Sequence, residues 1–168
     1  MKILTLAFAL AVLAGSASGQ DAQDANGLFY DFGPTASCLA GAQSLAAKQD
    51  CVGRAAEACI EKTGYATPVL SGCASRELED WDARLNAVYQ QQRAYAREFD
   101  MGNDPNLPGL DTSLRDMQRA WIPYRDATCV YEAAQWSGGT GAGPAYIGCL
   151  LSLTGDQALY LEFGRIGG

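Results

Sequence analysis

The chain has 168 residues, 48% of them hydrophobic, which is enough for one domain with a core and too few for two ordinary domains. Its 19 acidic residues outnumber 12 basic ones, and the formal charge of -7 disfavours nucleic-acid binding, which needs a basic face. The absence of histidine excludes Ser-His-Asp and Cys-His catalysis, histidine-liganded zinc and a histidine general base.

Residues 1–19 have the pattern of a secretory signal peptide. Lys2 precedes an apolar run from Ile3 to Gly15, and Ala17 and Gly19 occupy the small positions before a cleavage site. The run is shorter than the roughly 20 residues that span a bilayer, although an N-terminal core helix is an alternative. Cleavage after Gly19 would remove one basic residue and change the charge from -7 to -8. We therefore expect a periplasmic or secreted protein with no membrane anchor after cleavage.

Two short segments precede the long helices. Residues 20–36 are polar and glycine-rich, which predicts a flexible lead-in that docks one aromatic patch, and residues 37–163 are expected to form one helical domain. From Cys38 to Lys62 the chain is rich in alanine, which favours short helices, one of them capped by Asp50. The apolar cluster of the lead-in comprises Leu28, Phe29, Tyr30 and Phe32.

A long amphipathic helix is predicted over residues 68–99. Thr67 is suited to the N-cap and Pro68 to the first helical position. Its apolar face comprises Leu78, Trp81, Leu85, Val88, Tyr95 and Phe99. The opposite face, expected in solvent, carries Arg76, Glu77, Glu79, Arg84, Arg93 and Arg97.

A second long helix follows the predicted loop at residues 101–109. Asp111 is suited to cap it, and Pro123 inside the pattern predicts a kink or a break. Its predicted apolar face comprises Leu114, Met117, Trp121, Tyr124 and Tyr131. The loop at residues 137–143 then leads to a third helix that begins near Pro144.

The C-terminal helix has a predicted buried stripe of Tyr146, Leu150, Leu153 and Tyr160. No strand-like alternation longer than about four residues occurs along the chain. These patterns predict a small all-α domain stapled by disulfides, with two long antiparallel helices and a C-terminal helix.

Six cysteines in an exported chain, without any C-x-x-C pair, predict three disulfides. The predicted pairs are Cys129–Cys149, Cys59–Cys73 and Cys38–Cys51. The first two pairs straddle turns between helices. The third follows by elimination and needs a bend between its cysteines, because an unbroken helix would hold them roughly 20 Å apart; otherwise Cys38 reaches Cys59.

Two blocks of sequence are more specific than the helical patterns. The first contains Cys73, Glu77, Asp82, Leu85, Asn86 and Tyr89. The second contains Trp121, Tyr124, Arg125, Asp126 and Cys129, followed by Gly138, Gly139 and Cys149. Over residues 59–162 they resemble the LprI-like lysozyme inhibitor family, a domain formerly of unknown function. The resemblance implies an exported helical protein, with lysozyme binding and inhibition as proposed for some members. Pro123 and the Cys38/Cys51 pair depart from the family pattern.

Two interpretations apply to the residues around Arg125. Arg125 and Asp126, beside Trp121 and Tyr124, can form a recognition site. Alternatively, Arg125 bridges helices by pairing with a carboxylate such as Asp82, and the two aromatic residues belong to the core. Asp82 and Asn86 lie four residues apart, a spacing that lets both bond loop backbone.

The two glycine-rich loops are the candidate contacts for a partner, because loops carry function on a rigid scaffold. The candidate residues are Ser137, Gly138, Gly139, Thr140, Asn103 and Asp104. One of these loops can occlude the cleft of a hydrolase, and the negative charge would attract a basic lysozyme. The alternative is that the glycines only reverse the chain between helices.

Enzymatic and metal-binding interpretations have little support. Acidic residues are plentiful around positions 77–82, but nothing in the sequence places two of them across a cleft as a glycosidase requires. The segment 100–104 lacks the ligand spacing and closing glutamate of an EF-hand. We expect no cofactor and no metal. The leading prediction is a lysozyme-inhibitor-like binding protein; the alternative is a structural or assembly protein of the cell envelope.

Overall fold

The structure, a computed structural model, describes residues 23–104 and 106–164. The predicted signal peptide lies outside the described residues. Six helices and no strand occur in the described ranges: α1 (Gly33–Gly41), α2 (Leu45–Gln49), α3 (Arg54–Thr63), α4 (Thr67–Met101), α5 (Leu110–Ala134) and α6 (Ala142–Phe163). The predicted all-α fold is confirmed.

Helices α4, α5 and α6 form the body of the domain. Helix α5 runs antiparallel to α6. Near the C-terminal end of α5, Cys129 is bonded to Cys149 in the first half of α6. Nearer the N-terminal end of α5, Gln118 accepts a hydrogen bond at 2.9 Å from Gln157, which lies further along α6. Helix α6 contacts α4 along much of its length. Of the short helices, α3 packs on the N-terminal half of α4, α2 packs on α6, and α1 packs on α3. The core therefore lies along α4 and is closed by α6 on one side and α3 on another.

The three predicted disulfides are present. Their Cα–Cα distances are 5.6 Å for Cys38–Cys51, 5.8 Å for Cys59–Cys73 and 5.3 Å for Cys129–Cys149. The first pair is possible because α1 ends at Gly41 and α2 does not begin until Leu45, so the chain bends between its cysteines. The second joins α3 to α4, and the third joins α5 to α6.

A buried glutamate organises the N-terminal half of the domain. Glu77 and Thr35 are fully buried, so the prediction that Glu77 faces solvent is wrong. The Glu77 carboxylate accepts hydrogen bonds from Gly53 N–H at 2.9 Å and Ala56 N–H at 2.7 Å. It also accepts from the Thr35 hydroxyl at 2.8 Å and from Trp81 Nε1 at 3.0 Å. A buried carboxylate is tolerated only when donors surround it, as they do here.

Glu77 caps α3 from another helix. The sequence predicted Asp50 as the cap, but Asp50 ends α2, and α3 begins after Gly53 without a cap from its own preceding side chain. The Thr35 hydroxyl accepts from Ala55 N–H at 2.9 Å, so the first turn of α3 bonds side chains of α1 and α4. The negative carboxylate also lies at the positive end of the α3 dipole, where negative charge is stabilised.

The start of α5 is capped in a similar way. Its N-cap position is Gly109, and the predicted cap Asp111 lies inside the first turn. The Asp100 carboxylate, from the last turn of α4, accepts from Leu110 N–H at 2.7 Å and Asp111 N–H at 3.0 Å. Helix α4 begins at Thr67 itself, after Ala66, so the predicted Thr67 cap is also wrong by one residue.

Several predicted apolar faces are only partly correct. In α4, Trp81, Leu85 and Val88 are buried, whereas Tyr95 and Phe99 are exposed. In α5, Leu114, Met117 and Trp121 pack against the core, but Tyr124 and Tyr131 face solvent. The buried residues of α6 are Leu151, Thr154, Gly155, Gln157, Ala158, Leu159 and Leu161, and the predicted Tyr160 is exposed.

Small residues explain the different register of α6. A Cβ atom on Gly155 would lie 2.7 Å from two methyl carbons of Val52, so the helix approaches the segment before α3 closely there. The inward face is lined by Thr154, Gly155 and Ala158. The predicted stripe missed this face because it was chosen from the large apolar residues of the helix. Helix α5 runs through Pro123 without interruption, so the predicted break does not occur.

Residues 23–32 lie along α4. Asp24 pairs with Arg76 at 2.6 Å, the Tyr30 hydroxyl donates to Asp80 at 2.6 Å, and the ring of Phe32 meets Trp81 edge-on at 6.1 Å between centroids. The predicted docking of an aromatic patch is confirmed, whereas the predicted end of the lead-in at residue 36 is wrong, because α1 begins at Gly33. Burial and the hydrogen bond to Asp80 raise the pKa of Tyr30, and hydrogen bonds from Leu28 N–H and Arg76 lower the pKa of Asp24.

Replacing Glu77 tests its role as a buried acceptor. In Glu77→Gln the side-chain amide would present N–H groups to donors that now point at a carboxylate, and at least one buried donor would lose its partner. We expect the free energy of unfolding, measured by denaturant titration of the oxidised protein, to fall by about 3 kcal/mol. The control Glu98→Gln changes an exposed residue of the same helix and should leave stability within about 0.5 kcal/mol. Equal stabilities for the two variants would contradict the role of Glu77.

Candidate functional site

The block from Trp121 to Cys129 on α5 divides between two faces of the helix. Trp121 packs against the core, and the guanidinium of Arg125 lies over its ring, 5.0 Å from the centroid. Cys129 is fully buried in its disulfide. Tyr124 lies on the other face and is 61% exposed. The block is therefore not one cluster: most of it supports packing, and Tyr124 is free to contact a partner.

Arg125 does not bridge α5 to Asp82. It donates from Nε and Nη2 to one carboxylate oxygen of the neighbouring Asp126, at 2.9 and 2.8 Å. The expected pairing with Asp82 is thus wrong, because Asp126 lies closer and the guanidinium is already held over Trp121. The expectation that Tyr124 belongs to the core is wrong, because Tyr124 is exposed. The same expectation for Trp121 is confirmed, because Trp121 packs against the core.

Asp82 and Asn86 bond each other on the outer side of α4. Asn86 Nδ2 donates to Asp82 Oδ2 at 2.9 Å, which is a contact between successive turns and not the expected bond to loop backbone. Together with Arg125 they line an open cleft of about 600 Å³ between α4, α5 and α6, with Leu78, Ala83 and Leu150 as apolar walls. The cleft offers the carboxylates of Asp82 and Glu79, an amide and a guanidinium edge for hydrogen bonding.

Leu85 and Tyr89 lie on α4 close to this cleft but support packing. Leu85 is buried, and Tyr89 is a partly buried residue packed against the core cluster. The Arg93 guanidinium lies 5.9 Å from the centre of the Tyr89 ring. Cys73, at the start of the same helix, is buried in its disulfide with Cys59.

The carboxylates of residues 77–82 each have a different partner. Glu77 caps α3, Glu79 pairs with Arg76 at 3.1 Å, Asp80 accepts from Tyr30 and Asp82 accepts from Asn86. A glycosidase needs two carboxylates facing each other across a cleft. These four lie within six consecutive residues of a single helix, and their contacts are structural.

The two candidate loops lie at opposite ends of α5. This helix has 25 residues, so it holds its ends roughly 37 Å apart at 1.5 Å per residue. Asn103 and Asp104 therefore belong to one end of the domain, and residues 137–140 belong to the other. A single narrow cleft of a partner cannot receive both loops, so the two candidate sets are alternatives for one such contact.

The loop after α4 is occupied with its own hydrogen bonds. The Asp104 carboxylate accepts from the backbone N–H of Asn106 at 2.9 Å and from its side chain at 2.8 Å, and these bonds lower the pKa of Asp104. Asp100 is bonded to the start of α5. The acceptors of this loop thus shape the turn between the helices, although Asn103 and Asp104 remain exposed.

The loop after α5 is compact and protrudes. Ser137 and Gly138 have positive φ angles of 49° and 78°, and Gly139 N–H donates to the Trp136 carbonyl at 2.8 Å. A side chain on Gly141 would overlap the Trp136 ring, which lies directly over it. Residues 137–140 are all exposed, and Trp136 itself is 54% exposed. This loop presents an aromatic ring and small residues on a defined backbone.

Comparison with known proteins identifies the family. The model of the family described as lysozyme inhibitor LprI matches residues 59–161, from the middle of α3 to the last turn of α6. The chain belongs to this family. The Cys38–Cys51 disulfide lies outside the matched region, and the first residue matched is Cys59.

Two relatives support this assignment. An uncharacterized 17.7 kDa protein in the puhA 5′ region of Rhodobacter capsulatus is 32% identical over 138 residues, which cover 79% of this chain and 85% of the relative. The uncharacterized protein R02472 of Rhizobium meliloti (strain 1021) is 32% identical over 96 residues, 55% of this chain and 69% of that protein. No solved structure matches.

Neither a metal cluster nor a membrane span is seen in this LprI-family chain over residues 23–104 and 106–164. In those ranges no three Cys, Asp or Glu side chains are grouped as a metal ion would require. None of the helices there is both long and apolar enough to cross a bilayer.

Sequence reasoning missed the aromatic surface of the LprI-family domain. Trp136 was not named as a candidate, and Tyr131 was assigned to the core, yet both are more than half exposed. The signal was available for Trp136, since it directly precedes the predicted loop at 137–143. For Tyr131 it was hidden, because an aromatic residue at helical spacing is usually buried.

The Arg93–Asp111 pair generates a pH-dependent prediction. Arg93 donates to both carboxylate oxygens of Asp111, with Nη2 at 2.9 Å from Oδ2, and this bonding lowers the pKa of Asp111 below its usual 3.8. The pair therefore stabilises the fold above the unfolded-state pKa, and that stabilisation is lost as the pH falls through the lowered folded-state pKa. Asp111→Asn should melt below wild type at neutral pH, and the difference should shrink as the pH falls below the usual aspartate pKa and through the lowered pKa of Asp111.

The matched control for this experiment is Asp116→Asn. Asp116 is exposed, and its ion pair with Arg119, at 3.8 Å, is open to solvent, so the melting temperature should barely change at either pH. A difference between Asp111→Asn and wild type that stays constant from neutral to acid pH would show that the ion pair is not its source.

Proposed function

We propose that this protein is an exported inhibitor of a lysozyme or related cell-wall hydrolase, acting by steric occlusion through the loop that joins α5 to α6. The family match over residues 59–161 carries the proposal. The geometry of residues 136–140 supports this choice of surface, because they protrude at the end of a helix pair closed by a disulfide. The mechanism needs no chemical step: an occupied cleft cannot bind its glycan.

The rigidity of the loop favours such a role. Cys129–Cys149 joins the two helices about two turns from the loop, and Gly139 N–H and Ala142 N–H close it with bonds of 2.8 and 3.0 Å. A preorganised loop loses little conformational entropy on binding, which increases affinity. Tryptophan is among the residue types that contribute most to binding at interfaces, and Trp136 is more than half exposed.

Charge and disulfides are consistent with this proposal. At -7 for the whole chain, or -8 after removal of residues 1–19, the protein would be attracted to a strongly basic hydrolase, the more so at low salt. Three disulfides suit an oxidising compartment, in agreement with export.

Inhibition of purified hydrolases is the direct test. The oxidised chain lacking residues 1–19 would be titrated against a c-type and a g-type lysozyme on cell-wall substrate, at low and physiological salt. We expect saturable inhibition of at least one enzyme that persists at physiological salt. A folded sample that inhibits neither would overturn the proposal and favour a structural or assembly role in the cell envelope.

A pair of threonine variants tests the surface. Thr140→Arg adds a bulky side chain to the exposed loop, and we expect the inhibition constant to rise about tenfold or more, corresponding to about 1.4 kcal/mol. Thr112→Arg adds the same charge at an exposed position near the other end of α5 and should inhibit as wild type does. Both variants should keep the wild-type melting temperature. Equal inhibition by the two would exclude the loop as the contact.

A further inference from the structure

The outer face of α5 carries an apolar heptad repeat that no other part of the described chain covers. Its residues recur every seven positions: Ala120, Ala127 and Ala134; Pro123 and Val130; Tyr124 and Tyr131. All seven are exposed. A period of seven is the spacing that lets one helix pack continuously against another. We propose that this face binds the same face of a second copy of the chain, with the two α5 helices antiparallel.

The inner face of α5 already has its partners. Leu114, Met117 and Trp121 pack against the core formed with α4 and α6, and Cys129 is bonded to α6. The heptad face is on the opposite side of the helix, so the fold does not use it. Surfaces that remain exposed and contiguously apolar over several turns are typical of interaction sites.

The order of large and small residues makes this face complementary to itself. A two-fold axis opposite Ala127 would place Ala120 of one copy against Ala134 of the other. It would also place Tyr124 against Val130 and Tyr131 against Pro123. Small residues then meet small ones, letting the helices approach, and each tyrosine ring meets an aliphatic surface. A symmetric dimer requires such a self-complementary patch. If the large residues lay only at one end of the face, they would not meet small residues of the partner in this way.

The exposed area is sufficient for a weak dimer. A fully covered aromatic side chain buries about 150–250 Å², so Tyr124 and Tyr131, which are 61% and 66% exposed, leave roughly 250 Å² open between them. With Val130, 59% exposed, and the alanine and proline residues, the face reaches about 500 Å² per copy. Two copies would bury about 1,000 Å², the area at which specific interfaces begin, so we expect micromolar affinity.

Sedimentation velocity of the oxidised chain lacking residues 1–19 tests the dimer, at protein concentrations from about 1 µM to about 1 mM. We expect a reversible shift from monomer to dimer across this range. Ala127→Arg should raise the dimer dissociation constant about tenfold or more without lowering the melting temperature, because alanine and arginine are both good helix formers. The control Ala94→Arg adds the same charge to an exposed position of α4 and should dimerise as wild type does. A wild-type chain that stays monomeric, or an Ala127→Arg variant that dimerises equally well, would overturn the proposal.

Cysteine cross-linking tests the direction of the helices. In the antiparallel pair, position 120 of one copy faces position 134 of the other, within the roughly 4.4–6.8 Å between Cα atoms that a disulfide spans. A mixture of Ala120→Cys and Ala134→Cys chains should therefore form the mixed disulfide under mild oxidation. Disulfides that form only between two copies of the same variant would show a parallel pair and overturn the proposed arrangement.

The dimer and the inhibitor proposal can fail separately. Thr140 lies in the loop beyond Ala134, where α5 ends, and is outside the repeat. Sedimentation reports on the heptad face alone, whatever the outcome of the lysozyme assays. Thr140→Arg should dimerise as wild type does, which separates the two surfaces in one variant.

Discussion

The carboxylate of Glu77 is the interaction on which the N-terminal half of this domain depends. It comes from the middle of the first half of α4, yet it bonds the start of α3, the Thr35 hydroxyl on α1 and the indole of Trp81. A charge without solvent must have donors, and the first turn of a helix provides unpaired N–H groups in a fixed arrangement. The position of α3 on α4 is therefore fixed by the hydrogen bonds of Glu77 to the start of α3 and, further along the helix, by the Cys59–Cys73 disulfide.

Asp100 solves the same problem at the start of α5. In both places the acceptor for a helix start comes from another helix, while the residue just before the helix is glycine: Gly53 for α3 and Gly109 for α5. Such a cap does one task more than a local cap does. It satisfies the N–H groups and also fixes the angle between two helices, which local side chains leave free. The turn after α4 is shaped by this carboxylate, to which the loop must return the chain, and by the Asp104 carboxylate within the loop.

The sequence predicted features that depend on spacing within one segment and missed features that depend on contacts between distant segments. The long helices and the disulfides across short turns depend on spacing within a segment, and the sequence predicted them correctly. Glu77 was placed in solvent because a glutamate usually is, and only the arrival of α3 reverses that preference. The stripe of α6 was misplaced because Gly155 and Ala158, not large residues, mark the closest approach. Tyr124 and Tyr131 fit a helical spacing but face outwards, since the buried disulfide at Cys129 determines which side of α5 is inside. Contacts between distant segments decided each of these cases.

The same reasoning separates residues that the fold requires from residues that it does not. In the block that marks the family, Trp121, Arg125 and Cys129 point inwards or brace each other, and their substitution would first alter stability. Tyr124 and Tyr131 on the heptad face, and Trp136 and Thr140 at the loop, have no comparable structural duty, and they expose large areas to water. The two proposed contacts both use these outward residues of α5 and its loop, and the inward members of the block explain why the helix presents them in a fixed geometry.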